Sequence, residues 1–179
     1  MSVFRVETKR DMERFDDIWI PVWIENEFEL ESYITPGVER FIFSDIEGDY
    51  GCVEFSPYNY LHAPVNELFP FHNYKELHNA KVFEFDKLAI NPVYQYTGKL
   101  LNILSFIVKY LVANKPDYVI ALLNPTFYED FILKFNVPVT RLTSEKNDLK
   151  YIPVIMDSQQ LINSKLGKRL SKQLLVGTT

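Results

Sequence analysis

Between Gly98 and Leu123 the chain carries its two most apolar segments in succession, and no other feature constrains the fold as much. Leu100, Leu101, Ile103, Leu104, Phe106, Ile107, Val108, Tyr110 and Leu111 leave a helix almost no polar face, so neighbouring elements must cover it. Lys115-Pro116-Asp117 breaks that helix, and Tyr118-Val119-Ile120-Ala121-Leu122-Leu123 follows as a continuous apolar run, the mark of a central strand buried on both faces. Ahead of the pair, Lys81 to Ile90 reads as a strand. It places Glu84, Asp86, Leu88 and Ile90 on one face and Phe83, Phe85, Lys87 and Ala89 on the other, until Asn91-Pro92 stops it.

The flanking segments supply the cover. Val3 to Thr8 alternates as a half-buried strand, and Met12, Phe15, Ile18 and Trp19 form a helical stripe that Pro21 is expected to end, with a second helix from Trp23 to Tyr33. Residues 39–45 and 50–56 flank Ile46-Glu47-Gly48-Asp49 as a hairpin. Residues 57–79 hold three prolines and all three histidines without periodicity, which predicts a long excursion with short helices only. After Asn124-Pro125 come a short helix from Thr126 to about Lys134 and strands at Val137 to Leu142 and Tyr151 to Met156. The expected fold is α+β: a mixed, largely antiparallel sheet of about seven strands between helices, over residues 1–157. Residues 158–179 form a tail in which Gln160 to Val176 reads as one basic amphipathic helix. Four placements stay open for it: its own domain, a second copy in a homodimer, an acidic acyl carrier protein, or anionic lipid.

Charge and cysteine content exclude several classes. A formal net charge of -5 lacks the positive field that polyphosphate binding needs, so nucleic acid is not the expected partner. The single cysteine, Cys52, closes no internal disulfide and reads as a small buried hydrophobe; His62, His72 and His78 have no zinc spacing and read as surface residues, so no metal is expected. The N-terminus has no apolar signal region and no run is long enough to span a membrane, which predicts a cytoplasmic protein.

The chemistry is expected around Gln95-Tyr96-Thr97-Gly98-Lys99-Leu100. A loop that leads into a helix can present unpaired backbone N–H groups to an anion; Gly98 permits close approach, Thr97 can cap, and Lys99 can add charge beside a diphosphate. The order strand, Pro-containing stop, Gly-bearing loop, helix, buried strand, helix resembles the GNAT superfamily of N-acetyltransferases. Lys87 to Gly98 is similar to its "R-L-x-V-x-P-x-x-[RQ]-x-x-G" stretch, with Lys87 for the usual Arg and Leu100 where a small residue is usual. Glu84-Phe85-Asp86-Lys87-Leu88 and Leu123-Asn124-Pro125 also resemble motifs of the acyl-homoserine-lactone synthase and N-acyl amino acid synthase branch.

The resemblance implies an acyl-CoA slot where strands 81–90 and 118–123 splay, filled by acetyl-CoA or a longer acyl-CoA, and direct transfer to the amine of a small molecule. Backbone at Leu88, Ala89 and Ile90 would hold the pantetheine, and Gln95, Tyr96, Thr97, Gly98, Lys99 and Asn124 would complete the cofactor site. Glu84 and Asp86 are the base candidates. The superfamily's usual tyrosine acid falls at Phe131, which leaves Tyr128, one turn earlier, as the acid candidate. The alternative is an acyl-CoA-binding or interaction module of the same fold that has lost turnover.

Overall fold

The structure, a computed structural model, describes residues 1–30, 35–95, 97–143 and 150–173. Along the chain run β1 (Ser2–Arg5), α1 (Lys9–Glu25), β2 (Glu39–Asp45), β3 (Gly48–Pro57), α2 (Val65–Leu68), β4 (Val82–Ile90) and α3 (Lys99–Asn114). They are followed by β5 (Tyr118–Leu123), α4 (Pro125–Phe127), β6 (Thr140–Arg141), β7 (Ile152–Asp157), α5 (Ser158–Asn163) and α6 (Lys165–Gln173). The strands form one mixed seven-stranded sheet in the order β1-β2-β3-β4-β5-β7-β6. The chain divides into two compact units, Met1–Ser56 with Phe85–Phe106 and Pro57–Glu84 with Ile107–Thr179, so β4 and α3 each contribute to both. Among the described residues no helix is long and apolar enough to cross a membrane.

In the first unit, β1, β2 and β3 form an antiparallel meander, and the β2–β3 turn is tight, with Asp45 paired to Gly48. One face carries Ile42, Cys52 and Ala89 against Phe15, Ile18 and Trp19 of α1. On the other, Phe106 of α3 packs on Phe41 and Phe43, with ring centroids 4.8 and 5.3 Å away. Alternation along the hairpin thus fills both faces. Thr8 starts α1 with a capping box: its Oγ1 accepts from the Asp11 N–H at 3.1 Å, and the Asp11 carboxylate accepts from the Thr8 N–H at 3.1 Å.

Pro21 does not end α1. The helix runs through it to Glu25, because Trp23 beyond the proline packs edge-on against Trp19 (5.6 Å) and Phe28 (5.7 Å), which offsets the lost backbone bond. Trp23 therefore belongs to the first helix, no second helix occupies residues 26–30, and residues 31–33 of the expected one lie outside the described residues.

In the second unit β5 pairs antiparallel with β7, and β7 with β6. The excursion folds its apolar residues inward: Val65, Phe69, Phe71 and Leu77 join Val82, Ile120 and Ile155 in one core, with helices no longer than a turn, as expected. The strand expected over Val137 to Leu142 shrinks to Thr140–Arg141. Pro138 offers no N–H, and the Val137 N–H turns back to the Ile132 carbonyl at 2.9 Å. That bond follows a π-helical stretch, Tyr128–Leu133, that continues α4, where an ordinary helix was expected.

The tail is two helices. Ser164 divides them, its Oγ donating to the Leu161 carbonyl at 2.7 Å and accepting from the Gly167 N–H at 2.9 Å, which caps α6. A side chain at Gly167 would collide with the Leu161 and Ile162 carbonyls, so the junction needs glycine. Leu161 and Leu170 are buried, whereas Lys165, Lys168, Arg169 and Lys172 are exposed; Leu174 and the residues after it lie outside the described residues.

Candidate active site

In the first unit the loop after β4 is built from its own short bonds. The Asn91 N–H donates to the Tyr50 carbonyl at 3.0 Å, and the Asn91 Oδ1 accepts from the Val93 N–H at 3.2 Å, which starts a 3-10 turn over Pro92–Tyr94. The Gln95 N–H reaches the Pro92 carbonyl at 3.2 Å, and the Thr97 N–H reaches the Tyr94 carbonyl at 3.4 Å. Gly98 then takes a left-handed φ of +81° and its carbonyl accepts from Leu101, the opening bond of α3. A Cβ at Gly98 would meet nothing within 4 Å, so the glycine is required by its backbone angle and its flank is open. Gln95, Thr97 and Gly98 are exposed, and Tyr96 lies outside the described residues.

Two expected loop roles need correction. Thr97 turns its hydroxyl back, donating to the Tyr94 carbonyl at 2.6 Å. Lys99 does not offer a free charge: its ammonium lies 2.5 Å from Glu47 Oε2, 3.0 Å from Asp45 Oδ2 and 3.8 Å from the centre of the Tyr94 ring. Burial works against that ammonium, but the hydrogen bonds to Glu47 and Asp45 outweigh it and raise its pKa.

Along β4 the single face expected for Phe83, Phe85, Lys87 and Ala89 is split. Phe85 packs on Phe55 (4.8 Å) on the face that Phe106 covers, whereas Ala89 joins the α1 face and the Lys87 ammonium lies 5.4 Å from the Trp19 ring; Glu84, Asp86, Leu88 and Ile90 are half-buried. The strand departs from simple alternation at Lys87, whose φ is +49°. There the Lys87 ammonium reaches the Asp86 carboxylate next to it at 2.7 Å, and the Lys87 N–H donates to the same carboxylate at 2.7 Å. Lys87 also donates to Glu54 Oε1 at 3.2 Å, while Arg40 Nε donates to Glu54 Oε2 at 2.5 Å. Arg40, Glu54, Lys87 and Asp86 thus form a chain of alternating charge, buried at its centre and half-exposed at Asp86. Sequence reasoning missed Glu54 and Arg40; the signal was their position opposite each other in the hairpin register. Cys52 is fully buried and burial pushes its thiol pKa well up, which removes it as a nucleophile.

The second unit holds the remaining candidates. Glu84 is half-buried, near enough to Tyr58 that its charge adds to the effect of burial in raising that phenol's pKa. Asn124 leaves β5 and accepts through Oδ1 from the Thr126 and Phe127 N–H groups at 2.8 and 3.3 Å, so that oxygen is used as a helix cap. Phe131 stacks on Phe127 (5.3 Å) and meets Phe135 (4.8 Å), while Tyr128 is buried beneath the Arg141 guanidinium at 5.7 Å. The two rings therefore have different partners. His62 and His78 are exposed and His72 is half-buried, with His72 and His78 edge-on to Tyr60. Among the described residues no cluster could hold a metal ion.

No family model matches the chain, and no curated protein matches it in sequence. Solved structures match nearly its whole length. FeeM, an N-acyl amino acid synthase from uncultured soil microbes, superposes with a TM-score of 0.75 at 11% identity, covering 94% of this chain and 97% of that one. The chain has the GNAT fold. The acyl-homoserine-lactone synthase LasI shares the GNAT fold with a TM-score of 0.71 at 13% identity, covering 96% of this chain and 93% of its own. A spermidine N-acetyltransferase chimera of SpeG from Vibrio cholerae matches at 0.58 and 12% identity, over 91% of this chain and 100% of that one. At these identities the likeness is one of fold.

Proposed function

We propose that this chain is an N-acyltransferase that moves an acyl group from an acyl-CoA thioester to the amine of a small acceptor. The observation that carries the reading is Gly98: a left-handed, open-flanked glycine that starts the covered helix α3 directly after β4, on a fold shared end to end with an N-acyl amino acid synthase. The diphosphate is assigned to the backbone of Gly98 and the start of α3, since the Gln95 and Thr97 N–H groups are taken up within the loop, and the pantetheine to the backbone of Leu88 to Ile90. In the transfer, the acceptor nitrogen attacks the thioester carbonyl carbon, a C–N bond forms and the C–S bond breaks. The CoA thiolate departs with the electron pair and takes up a proton, and the new ammonium gives its proton to a base.

Glu84 and Asp86 are the base candidates, and Asp86 accepts twice from Lys87. Tyr128 is the acid, since Phe131 carries no proton to give. Closer superposition on FeeM and LasI (0.75 and 0.71) than on the spermidine acetyltransferase chimera (0.58) supports a donor longer than acetyl. The exposed cations of α6 suit delivery of that donor on an acidic acyl carrier protein, and a carrier-linked donor outpacing its CoA ester in the same assay is the expected sign.

The test is calorimetric titration with CoA, acetyl-CoA and a long-chain acyl-CoA, paired with thiol release over an amine panel. Micromolar binding, strongest for the long chain and lost in Gly98→Glu, together with amine-stimulated thiol release, is the expected result. Binding without release assigns the inactive module instead, and no binding to any of the three removes the acyl-CoA reading.

A further inference from the structure

Lys99 is the only Lys or Arg between Leu88 and Val108, so it is the one cation the Gly98 loop and the first two turns of α3 carry in their own sequence. The structure does not leave it to a ligand. Its side chain is 12% exposed, enclosed by the carboxylates of Asp45 and Glu47 in the β2–β3 turn and by the face of Tyr94. The turn and the loop are joined a second time, because the Tyr94 hydroxyl donates to the Glu47 carbonyl at 2.9 Å.

We infer that Asp45 and Glu47 set the affinity of the Gly98 loop for a diphosphate-bearing cofactor, by holding Lys99 on the turn and away from the phosphates. The inference rests on the acyl-CoA reading above and deepens it. Backbone N–H groups bind the diphosphate, and the two acids determine how tightly. A phosphate that would otherwise pair with Lys99 has to displace a carboxylate or do without the cation. The weaker grip falls on acyl-CoA and on free CoA alike, which favours release of the product once the acyl group has gone.

The experiment titrates free CoA into the native chain, Glu47→Gln, Asp45→Asn/Glu47→Gln, and that double variant carrying Lys99→Met. Glu47 is 62% exposed on its side chain, so the single variant keeps the test readable should the double one fold poorly. The expected result is tighter binding by about threefold in the single variant and about tenfold in the double, with a steeper salt dependence. Removal of Lys99 from the double variant should cancel the gain. Equal affinity in the native and amide chains overturns the inference while leaving the acyl-CoA reading intact, and so does a gain that survives loss of Lys99. Failure of the native and amide chains alike to bind CoA overturns the acyl-CoA reading, and the inference with it.

Discussion

Glu54 is 5% exposed in a strand stretch, Gly51 to Ser56, that is otherwise uncharged, yet it accepts from both Arg40 and Lys87. A buried carboxylate between two cations is costly to remove, because the cations stay behind without their shared anion. Glu54→Gln keeps the shape and loses the charge; it is expected to lower stability by about 3 kcal/mol, read as a shifted urea midpoint at unchanged slope. An unmoved midpoint would show that water reaches the pair. Lys87 gives a pH prediction. Burial alone would lower its pKa, but the charges of Asp86 and Glu54 raise it above the ordinary lysine value. A cation whose folded pKa is raised stabilises fully below its unfolded pKa, and that contribution is lost as pH climbs through the folded value. Stability owed to Lys87 is therefore constant through neutral pH and falls only above about pH 10. Its ammonium lies 5.4 Å from the Trp19 ring, so tryptophan emission should follow the loss, and Lys87→Met should flatten that limb. The hairpin register held a signal for Arg40 and Glu54, but the contact between Lys87 and Asp86 was not legible at the residue level. Lys87 appears in the sequence as one half of an alternating strand, and only its left-handed backbone brings it to Asp86.

Among elements, those with a strong period and clear stops were legible: the β2–β3 hairpin, β4, the covered helix α3, and the buried strand β5 between Asp117 and Asn124. What failed depended on contacts distant in sequence or on hydrogen bonds that no period encodes. Pro21 is the clearest case, a helix breaker by its own chemistry that aromatic packing on both sides holds inside α1. Because the ring withholds a backbone bond that the observed helix could make, Pro21→Ala is expected to raise stability by up to about 3 kcal/mol without moving Trp19 or Trp23. Thermal melting measures it, and a loss of stability would mean that α1 needs the bend a proline imposes. Ser164 is a second case, where one hydroxyl ends α5 and begins α6 in a run whose hydrophobic spacing alone reads as a single helix.

For the whole molecule, the fold was legible because the order of elements is itself a signature. The sequence of β4, stop, glycine, α3 and β5 survives where identity to the matching structures is 11–13%. Of the candidate loop, the glycine that opens α3 was legible and Gly98 stands there with a left-handed angle, while Lys99 is claimed by two acids from a turn some fifty residues earlier. That distance in sequence hid the contact. The division of the chain into two units has a consequence for how the protein is made. Synthesis delivers residues in order, yet the first unit is built from Met1–Ser56 and Phe85–Phe106, with residues of the second unit emerging between them. While those intervening residues leave the ribosome, the meander β1-β2-β3 has neither its share of β4 nor the Phe106 ring to cover Phe41 and Phe43. Nascent chains arrested with residue 84 outside the exit tunnel should thus be cut readily by protease. Protection of the N-terminal segment is expected to set in only after Phe106 has emerged, which delays the first commitment to the native state until well after the meander itself has been made.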